Sequence, residues 1–359
     1  MKVGIVGLPN AGKSSLFQAL TRAEAEVANY PFTTIEPNVA VVPVADERLD
    51  RVAEVIGASE VLPDTILFHD IAGLVQGAHE GEGLGNQFLS HIRETDAIVH
   101  VVRVHGDDRV VHPDGRVDPV ADAEIVETEL LFADLEQAER RLERVEKQAR
   151  GGEKVMRAEA AWLRDLVDAL RAGQPARSVP PPGDAPGAEA RLRPLTAKPV
   201  LFVANVDEGD DAVPEELAAH AAAIGAGAVA VSARLEAELA ALDPDEAASM
   251  RDELGAGEPG LQRVVDGAFA LLHQIAFFTA DAGKPAQSRH LRRGLTAWDA
   301  AGEVHTDMQR GFVRAEVIAW DDLVAAGGYA AARERGTLRI EGRDYVVADG
   351  DVVHIRFTP

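Results

Sequence analysis

Apolar residues along the chain follow two rhythms. Short continuous apolar runs occur at residues 2–7 (KVGIVG), 66–70 (ILFHD), 97–104 (AIVHVVRV), 199–206 (PVLFVANV) and 227–232 (GAVAVS). Their length and β-branched content predict strands buried on both faces. Helical stretches separate them, beginning with LFQAL directly after the first, so the fold class expected is α/β, a doubly wound and mostly parallel sheet. In a second rhythm Ile125, Thr128, Leu131, Leu135, Ala138, Leu142, Val145 and Ala149 recur every three or four residues, and Met156, Ala160, Leu163, Val167 and Leu170 resume the period after Gly151-Gly152. That spacing predicts an antiparallel pair of amphipathic helices, an arm inserted into the sheet domain. The Pro/Gly/Ala-rich stretch SVPPPGDAPGAEA closes the arm and reads as a flexible linker with little to bury.

From about residue 275 the pattern changes again. GFVRAEVIAW, TLRIEGRDYVV and DVVHIRF alternate or are β-rich, with Glu341-Gly342 and Asp349-Gly350 as turn pairs. A small, mainly β module of ubiquitin-like size is expected there. The domain reading is therefore 1–120 with 195–274 as the sheet domain, 121–194 as the arm and its linker, and 275–359 as the β module.

Composition narrows the function. Thirty-six basic residues stand against 60 acidic ones, a net charge of −24. Non-specific nucleic-acid affinity comes from clustered positive charge, so generic DNA binding is excluded and any RNA contact must use a local basic patch. With no cysteine in 359 residues, disulfide scaffolds, thiol catalysis and zinc-thiolate sites are excluded too. No apolar run is long enough to span a bilayer, and the N-terminus lacks the features of a cleaved signal peptide. A monomeric cytoplasmic protein with no membrane partner is expected.

The chemistry concentrates in four short segments. Gly7 to Ser14 (GLPNAGKS) is a full phosphate-loop pattern placed between a buried strand and a helix start. Loop N–H groups and the helix end cradle phosphates there, Lys13 meets the terminal phosphates, and Ser14 is the expected Mg2+ ligand. Asp70-Ile71-Ala72-Gly73 closes the ILFHD strand, where Asp70 would hold Mg2+ through water and Gly73 would contact the terminal phosphate. Thr34, in NYPFTT, lies in the switch segment where a hydroxyl completes the metal shell. Leu74 follows Gly73 where regulatory GTPases carry a water-orienting glutamine, which predicts a low intrinsic rate.

Asn205-Val206-Asp207-Glu208 stands where a guanine reader carries Asn-Lys-x-Asp. Val206 removes the lysine packed along the base, and Glu208 displaces the carboxylate, so guanine preference should be lost. Asp207 could still serve GTP if the loop register slips. Ser232-Ala233-Arg234 ends the next strand and could offer backbone groups to the base.

Together GLPNAGKSS, NYPFTTIEPN, DIAGLVQGAHEGEGLGNQFLSHIRETDAI, ANVDE and AGEVHTDMQRGFVRAEVIA resemble the YchF family of Obg-like ATPases over nearly the whole chain. The resemblance implies a phosphate-loop domain, an inserted coiled coil and a C-terminal β-grasp module called TGS. It further implies ATP preferred over GTP, ribosome or translation association and a stress-linked role. It assigns phosphate binding to Asn10, Ala11, Gly12, Lys13, Ser14 and Ser15, metal to Ser14 and Thr34, and adenine contact to the backbone of Val206. His112, in DDRVVHPDGRV, matches a histidine implicated in hydrolysis, and Asn10 matches an asparagine that lets related enzymes use K+. The chain departs from the family at Arg289, Arg292 and Arg293, which replace an Ala-Trp-Thr-like strand and either contact phosphate or offset surrounding acid. Arg140, Arg141, Arg144, Lys147 and Arg150 make a second basic stretch on the arm. A ribosome-assembly GTPase and a nucleotide-gated binding scaffold with incidental turnover are the alternatives to an ATPase switch.

Overall fold

A computed structural model describes residues 1–25, 38–71, 84–106, 117–150, 153–254 and 259–358. The described chain forms two compact units. It opens with β1 (Lys2–Val6), a loop and α1 (Lys13–Ala25), then β2 (Val39–Pro43). It next contributes α2 (Glu47–Ile56) and β3 (Val61–Leu62) to the second unit, and returns through β4 (Thr65–Asp70), α3 (Leu84–Arg93) and β5 (Ala97–Arg103). The arm follows as α4 (Pro119–Ala149) and α5 (Lys154–Arg171), with a short α6 (Ala188–Leu192) behind it. The first unit finishes with β6 (Val200–Asn205), α7 (Glu215–Ala223), β7 (Gly227–Val231), α8 (Ala233–Leu239), α9 (Pro244–Glu253) and α10 (Gly260–Leu271).

Its sheet runs β2-β4-β1-β5-β6-β7. The pairings β4–β1, β1–β5, β5–β6 and β6–β7 are all parallel, so the sheet expected from the apolar runs is present. All seven residues of β5 are buried, as a central strand covered on both faces requires. One face packs Val6 and Ile98 with Leu89 and Ile92 of α3 and Val126 and Leu130 of α4, and continues through Phe202 and Ala204 onto Leu217 and Ala221 of α7.

The N-terminal part of α4 thus belongs to the sheet's core, and the free-standing arm begins near Ala138, inside the helix rather than at residue 121. Asp118 starts that helix by accepting the Ala121 N–H at 3.1 Å, with Pro119 in the first turn. Along the arm Glu146 meets Arg164 and Glu139 meets Arg171, so residues farther from the turn on one helix face residues farther from it on the other, as an antiparallel pair demands.

The stretch from residue 178 to 190 is not the flexible linker its composition suggested. Ala176, Ala185, Ala188 and Leu192 are buried against Trp162, Leu163 and Leu166, and the Trp162 indole donates to the Val179 carbonyl at 3.3 Å. Small side chains let the backbone lie close along the helices, a kind of packing that hydropathy does not reveal.

The second unit comprises residues 43–66 and 272–359. Its C-terminal part holds β8 (Gln274–Thr279), β9 (Ala286–Arg292), α11 (Ala297–Val304), α12 (Thr306–Arg310), β10 (Phe312–Ala319), α13 (Trp320–Ala326), α14 (Tyr329–Arg335), β11 (Arg339–Glu341) and β12 (Asp351–Phe357). The sheet order is β11-β10-β12-β8-β9-β3. An antiparallel β8–β9 hairpin, helix α11 and a last strand parallel to β8 make the β-grasp arrangement. Four helices accompany these strands, so the module is α+β rather than mainly β. The 43–66 segment, which the sequence reading kept with the sheet domain, is part of this unit. Leu49, Val52 and Ile56 share one face of α2 and pack with Phe278, Ile318 and Val352, while β3 pairs with β9.

Candidate functional site

In a parallel sheet every strand delivers its C-terminal end to the same edge, and ligands bind there where the strand order reverses. Five loops leave this edge in the first unit: after β1, β4, β5, β6 and β7. A cavity of about 910 Å3 opens among them. Asn10, Gly12, Lys13, Ser14 and Ser15 line it from the loop after β1, His105 and Gly106 from the end of β5, Asn205 to Glu208 from the end of β6, and Ser232 and Arg234 from the end of β7.

The phosphate loop has the backbone its sequence calls for. Gly7 and Gly12 sit at φ +153° and +103°, and both are crowded. A Cβ on Gly7 would lie 2.4 Å from the Val101 carbonyl oxygen, and one on Gly12 would lie 2.2 Å from Asn205 Nδ2. Only glycine fits either position. The helix begins at Lys13, whose ammonium turns back along the loop to donate to the carbonyls of Gly7 (3.0 Å) and Leu8 (2.7 Å). Lys13 is 8% exposed, and burial lowers its pKa, opposed by the charge of Asp70. Asp70, half-buried at the end of β4, is raised by burial, with Lys13 pulling the other way. The pair is a desolvated cation and anion beside a polar cavity, a setting in which an incoming polyphosphate and metal meet charges that water does not screen.

Asn205 fastens two of the loops together. Its Nδ2 donates to the Ala11 carbonyl at 3.0 Å, and its Oδ1 accepts the Ala233 N–H at 3.0 Å. The side chain is 5% exposed, so both bonds are made away from bulk water. Read from the sequence as a base contact, Asn205 is first a clamp between the phosphate loop and the start of α8, with one amide hydrogen left for a ligand. Ala11 is not on the cavity wall, because its carbonyl faces Asn205 and its N–H is given to Leu8.

Val206 is buried and its N–H is committed to the Val231 carbonyl at 3.1 Å, which leaves its carbonyl as the backbone group able to meet a base. Glu208 lies 3.8 Å from Arg234, whose Nε is closer to Glu238 at 3.0 Å. Ser232 precedes α8 without capping it through its side chain.

Ser14 is exposed on the first turn of α1, and with Asp70 it supplies hard oxygen donors suited to Mg2+. Among the described residues no three His, Cys, Asp or Glu side chains cluster to hold a metal unaided. Thr34, Gly73, Leu74 and His112 lie outside the described residues. Sequence reasoning missed His105 and Gly106. Their signal was positional: they follow the C-terminal end of a fully buried strand, the end of the sheet at which Asp70 and Asn205 close their own strands. Among the described residues no helix is long and apolar enough to cross a membrane.

Comparison with known proteins gives the same outline. Residues 2–137 match a family model described as 50S ribosome-binding GTPase, and residues 274–358 match YchF-GTPase_C, described as a protein of unknown function (DUF933). The chain is 44% identical to the ribosome-binding ATPase YchF of Bacillus subtilis and 46% identical to that of Haemophilus influenzae, covering 99% of each chain in both cases. Among solved structures it is similar to the Schizosaccharomyces pombe YchF GTPase, with a TM-score of 0.87 and 33% identity over 99% of this chain and 97% of that one. A GTP binding protein from Pyrococcus horikoshii, at 21% identity and a TM-score of 0.64, shares the fold.

Proposed function

This chain belongs to the YchF family, and on that premise we propose that it is a magnesium-dependent ATPase that prefers ATP to GTP and works as a nucleotide-driven switch with the ribosome as partner. We place it in the cytoplasm as a monomer, with a stress-linked role. The observation that carries the reading is Lys13, folded over the glycine-rich loop at the head of α1 and facing the charge of Asp70.

In this reading the loop N–H groups of Gly12 to Ser15 and the start of α1 hold the phosphates, and the Lys13 ammonium moves from the carbonyls of Gly7 and Leu8 to the terminal phosphates. Ser14, Asp70 and Thr34 would hold Mg2+, which would supply positive charge to offset that of the phosphates. By the family resemblance, Asn10 would contribute to a K+ site. A water oxygen bonds to the γ-phosphorus as the bond to the bridging oxygen breaks, giving ADP, phosphate and a proton. Gly73 contacts the transferring group through its N–H, and His112 orients the attacking water in place of the glutamine that Leu74 replaces. ATP orders the segments carrying Thr34 and Gly73, and loss of the γ-phosphate releases them.

Base preference follows from the groups still available. The Val206 N–H is spent on Val231, so its carbonyl faces the base; it can accept from the adenine amino group and repels the guanine carbonyl. The GTPase reading keeps one support, because Asp207 lines the same cavity beside Glu208.

Calorimetric titration of nucleotide-free protein with non-hydrolysable ATP and GTP analogues, in Mg2+ and K+, tests the proposal. Binding of the ATP analogue tighter by tenfold or more, about 1.4 kcal/mol, is expected. The paired change Val206→Lys and Glu208→Asp should move preference toward GTP. Tighter GTP binding by the unaltered protein would make the ribosome-assembly GTPase the better reading.

A further inference from the structure

Five arginines converge at the root of the arm, away from the phosphate loop. Arg93 at the end of α3, Arg140, Arg141 and Arg144 along α4, and Arg191 on α6 line a cavity of about 370 Å3, together with Glu136. Among the described residues three carboxylates lie within 4 Å of them. Glu159, 1% exposed, is shared by Arg141 at 2.7 Å and Arg191 at 2.5 Å. Glu136 pairs with Arg140 at 3.1 Å. Asp134 lies 3.8 Å from Arg93, but its oxygens already accept the N–H groups of Leu195 and Thr196 and the Thr196 hydroxyl. Among the described residues Arg144 has no acidic partner within 4 Å.

A concentration of positive charge like this is out of keeping with a chain of net charge −24. Like charges held together disfavour one another's charged forms unless an anion intervenes. Burial first, and then the nearby charge of Arg140, lower the pKa of Arg93 against the pulls of Asp134 and Glu136.

We propose that this cavity binds a small polyphosphate anion at a site separate from the phosphate loop. Guanidinium groups present paired N–H donors that match phosphate oxygens, and five of them leave donors to spare after the internal pairs are made. The volume falls within the range of small-ligand pockets. The chain's net charge of −24 opposes the approach of a long polyanion such as RNA, which favours a small ligand over a nucleic acid. Because the wall is shared by α3, α4 and α6, an occupant ties the arm to the helix that follows the Asp70 to Gly73 segment in the chain.

The test uses inorganic pyrophosphate as probe and the full chain carrying Lys13→Ala, so that the phosphate loop no longer competes for it. Calorimetry should detect one pyrophosphate site, and adding Arg140→Ala with Arg144→Ala should weaken it tenfold or more. Both arginines are exposed on α4, and circular dichroism checks that the helices persist. A conservative Arg144→Lys change should cost less than Arg144→Ala. No binding in the Lys13→Ala protein, or binding indifferent to both arginines, overturns the proposal. So does arginine-dependent capture of a short single-stranded RNA, followed by fluorescence anisotropy, by a protein that takes up no pyrophosphate.

Discussion

Replacing Asn205 with alanine tests whether the site depends on a buried clamp rather than on its phosphate loop alone. The substitution removes two hydrogen bonds of 3.0 Å and leaves the Ala11 carbonyl and the Ala233 N–H without partners. An orphaned buried group costs about 1–3 kcal/mol, and water entering from the adjoining cavity reduces that, so a loss of ~2–4 kcal/mol is expected. Asn205→Asp separates the two ends. One carboxylate oxygen still accepts from Ala233, while the other faces the Ala11 carbonyl oxygen and repels it. Urea unfolding reports the total, and amide exchange in a peptide spanning Ala233 reports the local release. Binding of an ATP analogue should weaken at least tenfold in both variants, since Gly12 is packed directly on the Asn205 amide. An Asn205→Ala protein with an unchanged urea midpoint and unchanged exchange at Ala233 would refute the clamp.

Lys13→Ala should abolish most affinity for ATP, because the phosphates lose the ammonium now resting on Gly7 and Leu8; calorimetry showing undiminished affinity would remove the site assignment. His100, buried in β5 beside Phe202, has its pKa lowered to about 3 by burial first and then by the charges of Lys13 and His220. Below pH 6.5 the unfolded chain takes up a proton that the native state refuses, so stability falls as pH drops from 8, by about 2 kcal/mol at pH 5. Melting curves at the two pH values should show that slope flattened in His100→Gln, and parallel slopes would contradict the assignment. Glu159→Gln should destabilise the arm by ~2 kcal/mol, since Arg141 and Arg191 lose a shared buried carboxylate, and the helical signal in thermal melts measures it.

The parts legible in the sequence were those written locally. The phosphate loop is a fixed spacing of glycine, lysine and serine between a strand and a helix, and the five parallel strands are continuous apolar runs. What escaped was written in pairs of distant segments or in small residues. Nothing within residues 43–66 says that Leu49 and Ile56 will pack with Phe278 and Val352. The stretch from 178 to 190 hid its packing because alanine beside proline and glycine reads as loop until a Trp162 is found against it. Helices α13 and α14 are short and alanine-rich, so they gave little amphipathic signal between two β-rich segments. At the site, Asn205 was recognisable by position, but which of its hydrogen bonds were already spent depended on Ala11 and Ala233, brought close only by the parallel sheet.

The excursion of residues 43–66 into the second unit also has a consequence for the order of folding during synthesis. Their β-grasp partners emerge about 200 residues later, roughly 10–40 s at bacterial-scale elongation rates of about 5–20 residues per second. Through that interval the apolar face of α2 has no core to join. A nascent chain stopped near residue 271 would carry an otherwise finished first unit with Leu49, Val52 and Ile56 exposed. Such a product is a natural client for a chaperone, and only the last stretch of translation removes the need for one.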